Sequence, residues 1–279
     1  METAIGSSSF GLAAADGEVW IGASNSGELV RVDGSTGVEL ERVPIGAAVL
    51  DVALSADAVW AVSALDGTVT RVDRRDTRTR KVFDVGERPY ACALAGGALW
   101  VSNARSGTLS VVDAGAVETI EVGGEPNGVT YTRGRVVVCE RELGRVLVLD
   151  PDSRSVVDSI AVSGADWATP DDDVLWVSRE PNLVSIVELD PLRVRATIEV
   201  DANPLGSCIV GDRLVIPCID ADTLVLVDRA TGTVSSRQAT GNGPIMACFD
   251  GTSVWVAHWE SESVRAIAVP PTGFLLPSK

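Results

Sequence analysis

Three stretches decide the reading of this chain: VWIGASNSGELVRVD (19–33), VWAVSALDGTVTRVD (59–73) and LWVSNARSGTLSVVD (99–113). Each opens on a hydrophobic step with Trp, crosses a short polar stretch, and ends in an alternating segment closed by Asp. VVVCERELGRVLVLD (136–150) repeats the pattern, and LWVSREPNLVSIVELD (175–190), LVIPCIDADTLVLVD (214–228) and VWVAHWESESVRAIA (254–268) continue it with drift. The step position reads Trp20, Trp60, Trp100, Val137, Trp176, Val215, Trp255, spaced by 40, 40, 37, 39, 39 and 40 residues. A period near 40 built from short strands, with almost no helical periodicity, predicts an all-β, seven-bladed β-propeller.

Each repeat divides into four antiparallel strands. In the third, PYACALA, ALWVSN, GTLSVVD and VETIEV alternate or run β-branched between Gly, Asn and Asp. Asp16-Gly17, Gly96-Gly97 and Arg133-Gly134 mark two-residue turns between first and second strands. The last repeat lacks a fourth strand, and Glu2-Thr3-Ala4-Ile5-Gly6 matches the fourth-strand ending of the others. Residues 2–5 are therefore expected to complete blade 7 and close the ring, with 1–279 a single domain. The tail FLLPSK (274–279) is expected to pack outside the ring or fray.

Composition narrows the function. The 39 Asp+Glu against 23 Lys+Arg give a net charge of −16, which repels phosphate backbones and disfavours nucleic acid. No basic and apolar leader and no apolar run of spanning length is seen, so a soluble cytoplasmic protein without membrane contact is expected. Five cysteines in no CxxC pair argue for reduced thiols. There is no GxSxG elbow, P-loop, HExxH or dinucleotide fingerprint, and a single His forbids a multi-histidine metal site.

Two-residue turns fix a register. It sets Phe10 opposite Ala23, Leu50 opposite Ser63, Tyr90 opposite Asn103, Asn127 opposite Glu140, Leu205 opposite Cys218 and Ile245 opposite His258. In the shorter blade 5, Arg179 faces Trp167 or Asp166. These pairs fall at the channel mouth, where equivalent positions read Ala, Ser, Asn, Glu, Arg, Cys and His. Identical packing problems do not call for such a set, so a guest is expected to have selected it. His258, Glu140 and Arg179 are the expected catalytic residues. Tyr90, Asn103, Asn127, Trp167, Trp259, Phe10, Leu50, Leu205 and Ile245 are the expected substrate contacts. One polar and one apolar wall suit an amphiphilic molecule, and an acidic lip of Glu142, Glu180, Asp220, Asp222, Glu260 and Glu262 favours cations.

Each assignment has a plainer counterpart. His258 as proton carrier competes with a loop-bonded histidine, Glu140 with an ion-pair partner, Arg179 with a neutraliser of Glu140, and Tyr90 and Trp167 with ordinary rim aromatics. Cys218 reads as a buried filler, and the Trp series as packing between blades. The Asp series at the third-strand ends (Asp33, Asp73, Asp113, Asp150, Asp190, Asp228) reads as turn chemistry.

The Leu/Val-Trp-Val-Ser/Ala step, the Gly-x-Leu-x-x-Val-Asp third strand and the blade entries Val85-Gly86-Glu87-Arg88-Pro89 and Val122-Gly123-Gly124-Glu125-Pro126-Asn127-Gly128 resemble YVTN-type propellers and the related streptogramin B lyases. The resemblance covers nearly the whole chain and is specific for fold. It implies a magnesium-assisted elimination using His and Glu at the mouth, which by position are His258 and Glu140, with Glu140 either the second acid/base or a magnesium ligand. The chain departs from that pattern in keeping Glu in only one blade and a single His. Two functions stay open: a lyase-, cyclase- or isomerase-type acid–base enzyme that requires no cofactor, with magnesium optional, or a non-catalytic propeller that binds a small molecule or a partner protein.

Overall fold

The computed structural model describes residues 1–268; the 274–279 tail lies outside them. Seven four-stranded antiparallel sheets stand around one axis. Blade 1 is Ser9–Ala15, Glu18–Ala23, Glu28–Asp33 and Glu39–Pro44, innermost strand first, and blades 2 to 6 repeat this order. In blade 7, Pro244–Phe249, Ser253–His258 and Ser263–Ala268 are joined by Glu2–Ala4, which pairs with Ser263–Arg265. Ile5 then donates its N–H to the Glu262 carbonyl at 2.9 Å, as Ile45 does to Gly27 and Val85 to Gly67. The N-terminal segment thus occupies the fourth-strand place with the same hydrogen bonds, and the ring is closed as the sequence predicts.

The tryptophans explain why the sheets stack. Trp20 packs with Val49, Val52 and Val59 of blade 2, Trp60 with Cys92 and Leu99 of blade 3, and Trp100 with Val129 and Val136 of blade 4. Trp176 meets Leu214 and Ile216 of blade 6, and Trp255 reaches Phe10 and Leu12 of blade 1. Each wide indole buries on the order of 200 Å² between two sheets, so one residue type repeated in five of the seven blades, with Val137 and Val215 in the other two, fastens the ring. The Asp residues after the third strands cap turns: Asp33 Oδ1 accepts the N–H groups of Ser35 and Thr36, and Asp228 Oδ1 that of Thr231. All five cysteines are unpaired.

Around the axis the innermost strands crowd. A Cβ on Gly128 would sit 3.0 Å from the Trp167 Cα of the next blade, and one on Gly206 would fall on the Met246 thioether. Glycine in one blade makes room for a large residue in the next.

The register departs from the expected one at the mouth. Ala23 pairs with Ser9, Ser63 with Val49, Asn103 with Pro89, Glu140 with Pro126, Arg179 with Ala165, Cys218 with Pro204 and His258 with Pro244, each one residue short of the expected partner. In six blades a β-bulge intervenes, and blade 6 retains only an isolated bridge before the short strand Cys208–Val210. The extra residues are Phe10, Leu50, Tyr90, Asn127, Asp166 and Ile245, with Leu205 in the equivalent place. A two-residue turn fixes only its own end of a hairpin; a bulge further along resets the count.

Removing residues 1–5 strips the three-residue ladder and the buried Ile5 from blade 7. The expected loss is about 3 kcal/mol or more, from roughly 1 kcal/mol per hydrogen bond and about 2 for Ile5, seen as a Tm lowered by several degrees. An unchanged Tm by calorimetry would show that the closure is not a stability element.

Candidate functional site

The bulge turns two rings of side chains to the mouth. The first is the bulged set itself. Phe10, Leu50, Leu205 and Ile245 are buried in one cluster, against which the half-buried Tyr90, Trp167, Trp259 and Ile219 pack. Phe10 meets Tyr90 and Trp259 edge-on, with ring centroids 5.7 and 5.8 Å away. The expected contacts Phe10, Leu50, Leu205, Ile245, Tyr90, Trp167 and Trp259 are therefore brought together.

The second ring lies one residue beyond the second strands: Ser24, Ala64, Ala104, Arg141, Glu180, Ile219 and Trp259. In all seven blades its N–H is bonded to an entry-loop carbonyl, from Ser8, Ala48, Arg88, Glu125, Gly164, Asn203 and Gly243 respectively. The backbone is sevenfold here and the side chains are not.

The preceding column, from which the catalytic assignment was read, is spent on the scaffold. Glu140 is fully buried; its carboxylate accepts the N–H groups of Glu125 (2.7 Å) and Leu143 (3.0 Å) and faces the Arg145 guanidinium at 3.4 Å. His258, also fully buried, takes the Gly241 N–H on Nε2 at 3.1 Å, with the Thr240 hydroxyl 2.9 Å away. Burial lowers its pKa to about 4, with Arg265 adding to the effect. Arg179 donates to the Ser163 carbonyl (2.7 Å) and Ser185 hydroxyl (2.8 Å). Asn103, buried, donates to Thr108 and Ser110, so it faces its own blade rather than the axis. Each of these side chains holds its own blade or that blade's entry loop. Cys218 is buried, and desolvation raises its thiol to about 12.

The expected magnesium does not fit Glu140, whose oxygens already serve two amides and a guanidinium without an opening to solvent. Among the described residues no group of three or more His, Cys, Asp or Glu is disposed to hold a metal.

The mouth is polar on one side only, across blades 3 to 5. Asn127, buried, donates from Nδ2 to Asp166 Oδ1 at 2.9 Å. Burial raises the Asp166 carboxyl above its usual range, opposed by the Asn127 hydrogen bond and by the Arg141 charge. Arg141 binds Glu180 at 2.7 Å, and Arg88 stands 3.8 Å from Glu125. The Tyr90 phenol sits in the field of Asp166, and burial pushes its pKa upward. Asp166 and Arg141 stand one position from where the turn count points, because the bulge leaves no signature in the alternation; the sequence reading offers Asp166 as one of two residues facing Arg179. Two open clefts, of about 660 and 950 Å³, flank the mouth on the loops of blades 1 to 3 and meet at Leu65.

No protein-family description matches the chain, and no curated protein matches it by sequence. Solved structures match in fold. A hydrazine synthase chain of Kuenenia stuttgartiensis is 18% identical with a TM-score of 0.84, over 94% of this chain and 96% of that one. Virginiamycin B lyase of Staphylococcus aureus is 15% identical with a TM-score of 0.86, over 97% and 99%. The computationally designed Ika8 protein is 14% identical with a TM-score of 0.70, over 94% and 96%. These likenesses establish the propeller architecture, including that of the streptogramin lyase type. No helix among the described residues is long and apolar enough to cross a membrane.

Two buried groups give opposite pH signatures. His258 is held near 4 against about 6.5 unfolded, so the unfolded chain takes up the proton first as pH falls. Its contribution is complete above about pH 6.5 and is lost toward pH 4, by roughly 3 kcal/mol; His258→Gln is expected to flatten that slope. Asp51, buried with Oδ2 on the Cys92 N–H at 2.8 Å, is raised to about 7 by desolvation. Here the folded state holds the proton longer, so stability falls as pH rises from about 4 to about 7. Asp51→Asn is expected to gain stability over wild type through that window, approaching about 4 kcal/mol above it. Urea unfolding of both variants across that range checks each slope.

Proposed function

We propose that the channel mouth binds a small amphiphilic molecule and carries out an acid–base reaction of lyase, cyclase or isomerase type. Asp166 moves the proton, Arg141 polarises an oxygen, and Tyr90, Trp167, Trp259 and Phe10 hold the apolar part. The observation that carries this reading is the mouth's asymmetry: seven backbone-equivalent positions hold Ser24, Ala64, Ala104, Arg141, Glu180, Ile219 and Trp259, with one buried carboxyl of raised pKa beside the charged pair. The backbone bond leaves the side chain free at each of these positions, and a bound molecule with unlike ends is served by such an uneven set.

The chemistry follows from the environment. A carboxyl lifted by desolvation is a stronger base when ionised and stays protonated nearer neutrality, which suits proton transfer to or from carbon, nitrogen or oxygen. A guanidinium already oriented by Glu180 stabilises oxyanion charge without reorganising. The apolar wall excludes water and strengthens both effects. In this reading His258, Glu140 and Arg179 support the mouth from beneath, and Asn103 holds its own blade. The reaction requires no redox group, and the protein works in an aqueous compartment such as the cytoplasm.

Thermal-shift screening of a metabolite library, followed by turnover assays on the hits, tests this. Asp166→Asn is expected to keep binding within several-fold and to lower kcat by at least about a hundredfold, the scale of positioned acid–base catalysis. His258→Gln and Glu140→Gln are expected to lower Tm while leaving kcat within a few-fold. Turnover surviving Asp166→Asn but lost in His258→Gln at unchanged Tm would return the chemistry to the buried column. Ligands that bind without any turnover would make the propeller a binding scaffold.

A further inference from the structure

We propose that the ligand of this mouth carries a protonated amine on an apolar body, and that the ammonium seats between Asp166 and Asn127. The inference rests on the mouth reading above and adds the chemical class of the guest.

The hydrogen-bond accounting at this point is one-sided. Asp166 receives one donor, Asn127 Nδ2, at 2.9 Å, and its Oδ2 takes no hydrogen bond among the described residues. Asn127 is 2% exposed, yet its Oδ1 has no partner. A buried acceptor left unmatched is uncommon in folded proteins and costs about 1–3 kcal/mol. Two adjacent side chains thus present two unsatisfied acceptor atoms, Asp166 Oδ2 and Asn127 Oδ1, against one spare N–H on Asn127 Nδ2. A group with several N–H bonds on one atom satisfies both at once, and an ammonium has three.

Charge selects the same group. The nearby guanidiniums have their own carboxylates, Arg141 on Glu180 at 2.7 Å and Arg88 near Glu125 at 3.8 Å. Among these five groups Asp166 has no guanidinium of its own; Asp51, which also acts on Tyr90, spends its Oδ2 on the Cys92 N–H. A carboxylate ligand entering here would meet three acids against two bases, while an ammonium would complete the pairing. The half-buried rings of Tyr90, Trp167 and Trp259 supply π faces and apolar surface for the rest of the molecule. The net charge of −16 draws cations toward the protein.

The seat also specifies which proton Asp166 handles. It passes from the ammonium nitrogen to the ionised carboxylate, leaving a neutral acid and a neutral amine whose lone pair is free to react. Burial of the carboxyl favours that direction by disfavouring the charged form.

Three probes of one shape test the class: 2-phenylethylammonium, the neutral 2-phenylethanol and the anionic 3-phenylpropionate, titrated near neutral pH by calorimetry and tryptophan fluorescence. The ammonium is expected to bind at least about tenfold more tightly than the alcohol, and the carboxylate more weakly still. Asp166→Asn, close in shape to the native residue, is expected to remove the preference for the ammonium over the alcohol, while Asp220→Asn on the outer lip leaves it within a factor of two. Equal affinity for ammonium and alcohol, or tighter carboxylate binding, overturns the ammonium seat and leaves a small-molecule mouth standing. If none of the probes binds or shifts the fluorescence of a protein that still binds library ligands, the seat is overturned; if library ligands fail too, the mouth reading falls with it. The wild-type probe series stands without any variant, so a poorly folding Asp166→Asn does not blunt it.

Discussion

Seven strands converging on one axis have too little room for seven ordinary side chains, and the bulge at the mouth end of the innermost strands relieves this. It inserts a residue, bends the strand, and lets the entry loop of each blade offer a carbonyl to the residue just beyond the second strand. That N–H to carbonyl bond recurs in all seven blades. Because backbone alone forms it, any side chain is permitted there. The constraint that fixes the geometry of the mouth is therefore what frees its chemistry.

The same crowding explains the glycines near the axis. Large residues in the ring below the mouth, such as Trp167 and Met246, lie against Gly128 and Gly206 of the preceding blades. A propeller with identical blades would need a compromise residue at every such position. This chain alternates small and large instead, and the alternation makes its centre uneven. Unevenness on the blade 3 to 5 side leaves Asn127, Asp166 and Arg141 beside aromatic surface, whereas Phe10, Leu50, Leu205 and Ile245 seal the other side.

The fold was legible because period-40 repetition and the Trp step are one-dimensional signals, and closure was legible because Glu2–Ile5 matches the ending of other fourth strands. The ring of Phe10, Leu50, Tyr90, Asn127, Leu205 and Ile245 was also found, since bulged residues still belong to the innermost strand. Its partners across the hairpin were not. Counting from the turn carries pairing outward one for one, and a bulge breaks the count without altering hydrophobic alternation. Hence Asn103, Glu140, Arg179 and His258 seemed to face the channel, although the structure uses them to bind Ser110, Leu143, Ser163 and Gly241. Their diversity has a local cause: each entry loop offers a different set of donors and acceptors, and each column residue matches its own.

Glu140 and Asp166 show how environment, rather than residue type, separates a carboxylate that the scaffold satisfies from one that it does not. Both belong to loops or strands at the same end of neighbouring blades. Glu140 accepts several amide hydrogens and faces Arg145, so its charge is consumed by the scaffold. Asp166 has one amide donor from a side chain that itself lacks a partner, and burial holds its carboxyl toward the neutral form. A group whose charge the fold already satisfies gains little from a guest. One left short of donors, as Asp166 is, keeps that capacity open to a guest; in the buried column Asn103 Oδ1 and His258 Nδ1 also lack partners, but there the neighbouring atoms of the same side chains are tied to Thr108, Ser110 and Gly241.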